Sequence, residues 1–428
     1  MTTVSPSDPR PMPPFVLAGR VVALDGPARA VTVADAFVTL TVTLTGAGDL
    51  AVELGDLVEV DIVGVGVGVE TSTGSRPGDC IGARARVVGR DRRPRDVRPE
   101  GGEHARLGAR GRGANLRDRA RALAAVRAFF AERGYLEVET PAAVPSPGLD
   151  LHLDAYALSP LGPAPRFLIT SPEYQMKRLL VAGVPRCFQI ARCFRPGELG
   201  ARHNPEFTML EWYRASSGID AMIAETEALL VAVATAVRGK PEVVSVREGR
   251  ARTVALTTPF ERLPLADAFA RHAGISSAEA LSLGLSGSVA DEERFFRLLV
   301  ERVEPALADG PPVVLVDYPI RQASLARPRP DDGRLAERFE LFVDGVELCN
   351  GFGELVDADV QRARLLADQA ARAAVGKPVY PIDERFLAAL EEGMPPSAGN
   401  ALGLDRLVAL CVGASTIGDV QAFPEGWL

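Results

Sequence analysis

Hydrophobic patterning divides the chain into two regimes. Between residues 15 and 90, apolar residues alternate with polar ones over short runs: FVLAGRVVAL, AVTVADAFVTLTVTL, LVEVDIVGV and IGARARVVG. These runs are rich in Val, Thr and Ile. Turn formers such as Asp25-Gly26-Pro27 and Gly46-Ala47-Gly48-Asp49 separate them, which predicts four or five short strands. That number suggests a small all-β, OB-like barrel. The VGVGVGV run reads as strand rather than phosphate loop, because it lacks Lys and Ser/Thr at P-loop spacing. After Asn115, an N-cap residue, the period changes. Leu116, Leu123, Val126 and Phe130 form one helical stripe, and Gly134 stops it. YLEVETPA then alternates as a strand ending at Pro141.

Beyond Pro141, strands and helices mix. FLIT, RCFQIARCFR, EFTMLEWYR, PVVLVDY and FELFVDGVELCNG predict strands, and 218–238, 264–273, 290–308, 358–374 and 382–393 predict helices. Strands with helices outside them predict an α+β domain around an antiparallel sheet. The expected organisation is a disordered, Pro-rich stretch over 1–14, a barrel over 15–90, a linker over 91–114 and the α+β domain over 115–428. The Arg- and Gly-rich linker reads as a solvated connector; an RNA-contacting arm is the alternative.

Composition narrows the partners. The 428 residues allow two or three domains, and 47% hydrophobic with 24% charged residues is ordinary for a soluble protein. No run of about 18 apolar residues exists, so no membrane span is expected. The N-terminal MTTVSPSDPRPMPP lacks the apolar core of a signal peptide. Five scattered cysteines without a CxxC pair fit a reduced, cytoplasmic protein. His104, His152, His203 and His272 lie at no metal-ligand spacing, so no zinc site is expected. The net charge of -8 weakens a nucleic-acid role for the whole chain, though a local basic face stays open. Lysine is nearly absent (Lys177, Lys240, Lys377), which reads as codon bias.

Three segments carry candidate chemistry. In RCFQIARCFRPGELGARHNPEFTMLEWYR, residues 186–214, Gln189, Ala191, Cys193 and Arg195 share one strand face, and Phe207, Met209, Glu211 and Tyr213 share another. Such a face is either solvated or lines a polar pocket. In FELFVDGVELCNGFGEL, Glu347, Asn350 and Glu354 fall where a strand enters turns at Gly351 and Gly353. They suit Mg²⁺ held against phosphates, or an ammonium ion, or are surface acids near a turn. In SAGNALGLDRLVAL a Gly-bearing turn opens a helix with Arg406 in its first turn. A cation there opposes the helix dipole, so an anionic ligand explains it better.

Together these segments resemble the class II aminoacyl-tRNA synthetases over roughly residues 115–425. The strand ending at Pro141 looks like motif 1, the Arg195 hairpin like motif 2 and ALGLDR like motif 3. SPEYQMKRLL, RHNPEFTMLEWYR, ELCNGFGEL and ALGLDRLVAL are similar to the lysine branch. That branch holds lysyl-tRNA synthetases and the ligases that attach β-lysine to a lysine of translation elongation factor P. QASLA (322–326), TSPEYQMKRLL and Ala401 look like the second. The tRNA synthetases usually place Pro at Ser324 and Gly at Ala401. One methyl at a pocket wall is worth roughly 1–3 kcal/mol of discrimination.

The resemblance implies an ATP- and Mg²⁺-dependent ligase that adenylates lysine or β-lysine and passes it to elongation factor P. A lysyl-tRNA synthetase and a non-catalytic paralogue are the alternatives. It implies Arg195 on the α-phosphate and carboxylate, Arg406 on the γ-phosphate and Phe207 on adenine. Glu198, His203, Asn204, Glu347, Leu348 and Gly403 also fall to ATP, with Glu347 and Glu354 as metal ligands. Ser171, Glu173, Glu211, Tyr213, Asn350, Glu354 and Ala401 fall to the amino acid, Glu354 and Tyr213 at its ε-ammonium. Motif 1 implies a homodimer. Two departures stand out. Where the class has Arg-x-Glu, Arg195 is followed by Pro196, Gly197 and Glu198. The elongation factor P ligases also lack a barrel. This one carries nine acids against five arginines between residues 11 and 89, with Phe15 and Phe37 its only aromatics. That composition is poor for RNA, so tRNA is not the expected partner and a structural or protein-docking role is.

Overall fold

The computed structural model describes residues 15–25, 30–34, 39–44, 52–54, 56–65, 80–89, 102–108, 111–158, 165–323 and 325–427. The expectations for residues 1–14, Phe37 and Ser324 lie outside them. The chain divides into two compact units, Met1–Arg117 and Asp118–Leu428.

In the first unit, β1 (Phe15–Asp25), β2 (Ala30–Ala34), β3 (Thr39–Leu44), β4 (Leu57–Val65) and β5 (Cys80–Gly89) form a closed barrel in the order β1-β2-β3-β5-β4. β1 returns to β4, and β3 runs parallel to β5. This is the five-stranded Greek-key arrangement expected of an OB-like barrel. Alternation fills its interior: Val21, Val31, Val33, Val42, Val58 and Val60 are buried. Thr32 and Thr41 face outward and hydrogen-bond at 2.9 Å. The stretch expected to be linker contains helix α1 (Glu103–Gly108) and the start of α2 (Arg112–Glu132). α2 begins at Arg112, so Asn115 lies inside the helix rather than at its N-cap. Its buried stripe is Ala122, Val126, Phe129 and Phe130. Gly134, at φ +71°, ends it in the left-handed region that glycine enters without strain.

The second unit is built on one large sheet. After β6 (Leu136–Glu137) comes a small sheet of β7 (Ala143–Val144), β8 (Ala157–Leu158) and β9 (Arg166–Leu168). α3 (Glu173–Val181) leads to the hairpin β10 (Arg186–Phe194) and β11 (Glu206–Ala215). α4 (Ile219–Arg238) follows, then the separate hairpin β12 (Glu242–Arg247) and β13 (Arg250–Ala255), and β14 (Glu261–Pro264). α5 (Leu265–His272), α6 (Ser277–Leu285), α7 (Val289–Leu298) and α8 (Glu304–Ala306) precede β15 (Val313–Pro319). β16 (Leu335–Val343), β17 (Val346–Gly353), α9 (Ala358–Ala374), α10 (Glu384–Gly393), β18 (Ser397–Gly403) and α11 (Leu404–Val412) complete it.

The sheet order is β14-β15-β16-β17-β18-β11-β10-β6. Its inner pairs are antiparallel; only the edge pairs β14/β15 and β10/β6 are parallel. One face carries Phe188, Leu210, Trp212, Leu341 and Leu402 and is covered by α2, α4 and α11 residues such as Phe130, Leu230 and Leu407. The opposite face holds the polar side chains. Among the described residues no helix is long and apolar enough to cross a membrane.

Two local expectations change. SAGNALG is not a turn but central strand β18, and Gly351 and Gly353 lie inside β17 rather than in turns. A Cβ on Gly351 would sit 2.3 Å from the Phe339 ring, and one on Gly399 2.3 Å from the Tyr213 ring. These glycines are where side chains from neighbouring strands cross over bare backbone.

Candidate active site

Register assembles the site. Gln189 faces Glu211, Glu211 faces Ala401, Ala401 faces Asn350, and Asn350 faces Glu340. Directly opposed residues share a sheet face, so five strands present one row roughly 19 Å long at the usual strand spacing. Glu211 is fully buried and Gln189 nearly so, while Ala401, Asn350 and Glu340 are half-buried, so the row is recessed rather than an open solvated face. Ala401 is the smallest side chain in the row and sits at its centre.

One end of the pocket is acidic. Glu211 accepts from Ser171 Oγ at 2.6 Å and from the Tyr213 hydroxyl at 2.9 Å. Burial pushes its carboxyl up to about 8, and the nearby Glu173 adds to the rise. Just past β17, Glu354 is also fully buried. Its Oε1 has no hydrogen-bond partner and would touch, at 2.4 Å, a Cβ built on Gly399. Lys177 completes this end, with Nζ 2.5 Å from Glu173 Oε1 and 2.5 Å from Glu354 Oε2. Burial raises the Glu354 carboxyl and the Lys177 ammonium opposes that rise. The expected set Ser171, Glu173, Glu211, Tyr213 and Glu354 is therefore brought together. Lys177 was missed, although its place four residues after Glu173 was a signal.

The other end is cationic. Arg195 stands just beyond β10, with Cζ 5.0 Å from the Phe207 ring centre and its buried Nε unpartnered. Glu198 lies 3.9 Å from Arg195, so it stays beside that arginine despite the inserted Pro-Gly. Arg406 is held by the Glu347 carbonyl at 2.8 Å, the Glu347 carboxylate at 3.3 Å and the Arg202 carbonyl at 3.2 Å. His203 Nε2 is 2.8 Å from Arg406 Nη2. Burial, then Arg406, lowers the His203 imidazole below its ordinary value, keeping it neutral. Gly403 gives Arg406 ordinary packing room at the start of α11.

Two expected nucleotide residues point elsewhere. Asn204 is buried, donates to the Glu206 carbonyl at 2.7 Å and accepts from the Glu425 amide at 3.1 Å. It fixes the loop instead of facing a ligand. The Leu348 side chain sits in the core on the helix-covered face, leaving only its backbone for a ligand.

The metal expectation also changes. Glu347 and Glu354 lie at opposite ends of β17, roughly 20 Å apart at strand rise, and cannot share one ion. Glu354 is committed to Lys177. Glu340 is the better companion for Glu347. It faces Asn350 while Glu347 faces Phe342, two residues further along β16, so the acids are diagonal neighbours roughly 7 Å apart. Their oxygens suit Mg²⁺. Burial raises the Glu340 carboxyl, and Arg338 at 2.6 Å pulls it back. Arg338 also donates to Asn350 Oδ1 at 3.2 Å and packs over Tyr318, with Cζ 4.5 Å from the ring centre. Arg338 and Glu340 were both missed, because nothing in the sequence pattern shows that this face of β16 continues the row. Among the described residues no cluster of three or more His, Cys, Asp or Glu side chains is arranged to hold a metal by itself. Any ion here would rely on two carboxylates plus ligand oxygens.

The strand expected to run to Pro141, which resembles motif 1, is reduced to the two-residue edge strand β6 ending at Glu137, with Leu136 exposed.

The chain is similar to known proteins over most of its length. The family model for class II tRNA synthetases (D, K and N) matches residues 103–426, so the barrel lies outside it. The elongation factor P--(R)-beta-lysine ligase of Klebsiella pneumoniae subsp. pneumoniae is 41% identical over 327 residues, covering 72% of this chain and 94% of that protein. The Proteus mirabilis ligase of the same name is 42% identical over 329 residues, covering 73% and 95%. That of Erwinia tasmaniensis is 41% identical over 328 residues, covering 72% and 94%.

Proposed function

Because this chain belongs to the class II tRNA synthetase (D, K and N) family and to its elongation factor P lysine-ligase branch, we propose that it is an ATP-dependent ligase. It adenylates (R)-β-lysine or lysine and transfers the acyl group to a lysine side chain of elongation factor P. The observation that carries this reading is the charge polarity of the pocket. Buried acids Glu211 and Glu354 lie towards one end, Arg195 and Arg406 just past the strand ends at the other, and Ala401 directly across from Glu211. A substrate with two ammonium groups and one carboxylate matches that polarity when its carboxylate points towards a nucleotide.

In the first step the carboxylate oxygen attacks the α-phosphorus of ATP. The bond to the bridging oxygen breaks and pyrophosphate leaves. Positioning and charge stabilisation supply most of the acceleration in such a step. Arg195 holds the α-phosphate and the carboxylate, a job that suits its planar fork. Phe207 carries the adenine on its free face, Glu198 stands beside Arg195, and neutral His203 helps Arg406 grip the terminal phosphate. Glu340 and Glu347 would hold Mg²⁺, which neutralises phosphate charge when bound. At the amino-acid end Glu354 and Tyr213 receive the ε-ammonium, Glu211 the second amine, and Asn350 orients the chain. In the second step the acceptor amine attacks the acyl carbon, forming an amide and releasing AMP. The cytoplasm, with elongation factor P, is the expected site of action. A homodimer through the β6 edge is the expected assembly.

The OB-order barrel favours one second reading, a lysyl-tRNA synthetase, since those enzymes carry such a domain. Its acidic composition argues for a structural or protein-docking role instead. ATP–pyrophosphate exchange with L-lysine and with (R)-β-lysine, followed by transfer to purified elongation factor P and to tRNA, tests the reading. Exchange with (R)-β-lysine and transfer to the protein are expected. No exchange with either amino acid, or transfer to tRNA alone, would overturn it.

A further inference from the structure

Lys177 is the most anomalous charge in the second unit. It lies on the fifth residue of α3, its side chain is fully buried, and its Nζ touches two carboxylates. Removing an ammonium ion from water costs several kcal/mol, and a buried pair rarely repays this in stability better than well-packed apolar groups do. A purely structural ion pair would also balance its charge. This one does not. One cation meets Glu173 and Glu354, so the trio carries one net negative charge, and Glu354 Oε1 remains buried without a hydrogen bond.

The neighbours do not supply the missing cation. β11 presents Glu211 and Tyr213, and the Tyr213 hydroxyl is donated to Glu211. Arg327 is within electrostatic reach of Glu354 but is paired with Glu337 of β16 at 2.6 Å. The recess is therefore short of one positive charge at Glu354 Oε1.

We propose that Lys177 is a positioning residue. It is a resident ammonium ion that occupies one oxygen of Glu173 and one of Glu354, leaving Glu354 Oε1 as the seat for a single incoming ammonium group. This rests on the reading that the recess takes the side-chain ammonium of a lysine-type amino acid. Burial holds the Glu354 carboxyl up at about 7 even with Lys177 beside it; Lys177 keeps it from rising further and holds Oε2, which leaves Oε1 free for the substrate. Without Lys177, Glu354 would take up its proton at a higher pH, and the recess would lose its charge there.

Titration calorimetry with L-lysine and (R)-β-lysine, without ATP, tests this from about pH 6 to about pH 9 on the wild type, Lys177→Met and the double variant Lys177→Met/Glu173→Gln. The double variant restores the single negative charge and guards against misfolding caused by two unbalanced carboxylates. Wild-type affinity is expected to fall less steeply with decreasing pH than that of either variant. Affinity of the variants should begin to drop at a higher pH than that of the wild type, by up to about tenfold per pH unit, and recover towards wild type at high pH. A variant that folds, judged by circular dichroism, and binds with wild-type pH dependence would overturn the proposal. So would a loss of affinity uniform across pH in both variants, which is what a merely structural lysine predicts. A wild type that binds neither amino acid would overturn it as well. Pyrophosphate exchange on the same wild-type preparation separates the two ideas: binding without exchange sinks the proposed reaction while the calorimetry still judges Lys177.

Discussion

Glu211 stands directly across the β11–β18 ladder from Ala401, which in turn faces Asn350 on β17. The methyl of Ala401 therefore rises between a carboxyl group and an amide at the middle of the row, where the proposed reading puts the amino-acid backbone. Ala401→Gly would remove that methyl without disturbing the strand pairing. Discrimination between the α- and β-amino isomers is expected to shift towards L-lysine by about 10- to 100-fold, the range one methylene-sized change supplies. Pyrophosphate exchange with both isomers measures it, and an unchanged ratio would remove Ala401 from the selectivity argument.

Glu211 itself should set a pH dependence. Burial, then Glu173, pushes its carboxyl up to about 8. Below that value the free enzyme holds Glu211 neutral, and above it ionised. The ionised form attracts a substrate ammonium group, so kcat/KM for the amino acid is expected to rise with pH through about 8. Glu211→Gln should flatten this limb and lower kcat/KM most at high pH. A pH–rate profile of exchange, reported as kcat/KM, reads the free enzyme; a rising limb that survives in Glu211→Gln would assign it to another group.

Much of this was legible in the sequence for a simple reason: alternation on β10 and β11 is regular. Glu211 and Tyr213 on one face, with Gln189 opposite, followed from counting by two. The glycine-bearing strands were not legible. SAGNALG has turn composition, yet Gly399 is there because the Tyr213 ring needs the space a side chain would fill. Glu347 was harder still. Counting by two from Asn350 puts it on the wrong face. A bulge places two β17 residues, Leu348 and Cys349, towards the core and swings Glu347 back to the site. Arg338 and Glu340 meet the rest of the site only through strands distant in sequence, and for Lys177 the local pattern shows the pair with Glu173 but not the contact with Glu354.

Glu340 on β16 and Glu354 just past β17 should part company in their metal dependence. Glu340 and Glu347 are diagonal neighbours at the cationic end, whereas Glu354 is paired with Lys177. Glu340→Gln is expected to raise the Mg²⁺ concentration needed for half-maximal exchange by about tenfold, on the scale of one lost carboxylate contact. Glu354→Gln should raise KM for the amino acid and leave the Mg²⁺ requirement unchanged. Exchange measured against free Mg²⁺ at saturating ATP distinguishes them. The reverse pattern would return the ion to the Glu354 end.

Stability has its own buried cation. The Arg372 side chain on α9 is fully buried and donates to the Pro378 carbonyl at 2.7 Å, the Asp150 carbonyl at 2.6 Å, the Leu153 carbonyl at 2.8 Å and Asp154 Oδ1 at 2.6 Å. Four acceptors from two loops converge on one guanidinium. Arg372→Ala would strip three part-buried carbonyls of their donor and leave a cavity behind, a loss of about 1–3 kcal/mol. Arg372→Lys keeps the charge but loses the fork, so it should recover only part of that loss. Arg372 and Lys377 hold the Asp154 carboxyl below the ordinary carboxylate range, although burial acts the other way. A depressed carboxylate contributes stability that is present above its unfolded value and lost as pH falls through the folded one. The gap in Tm between wild type and Arg372→Ala is therefore expected to be full near neutral pH and to narrow below about pH 4. Thermal unfolding at several pH values checks both points. A gap that is constant with pH would attribute the loss to the three carbonyls alone and leave Asp154 without a share in it.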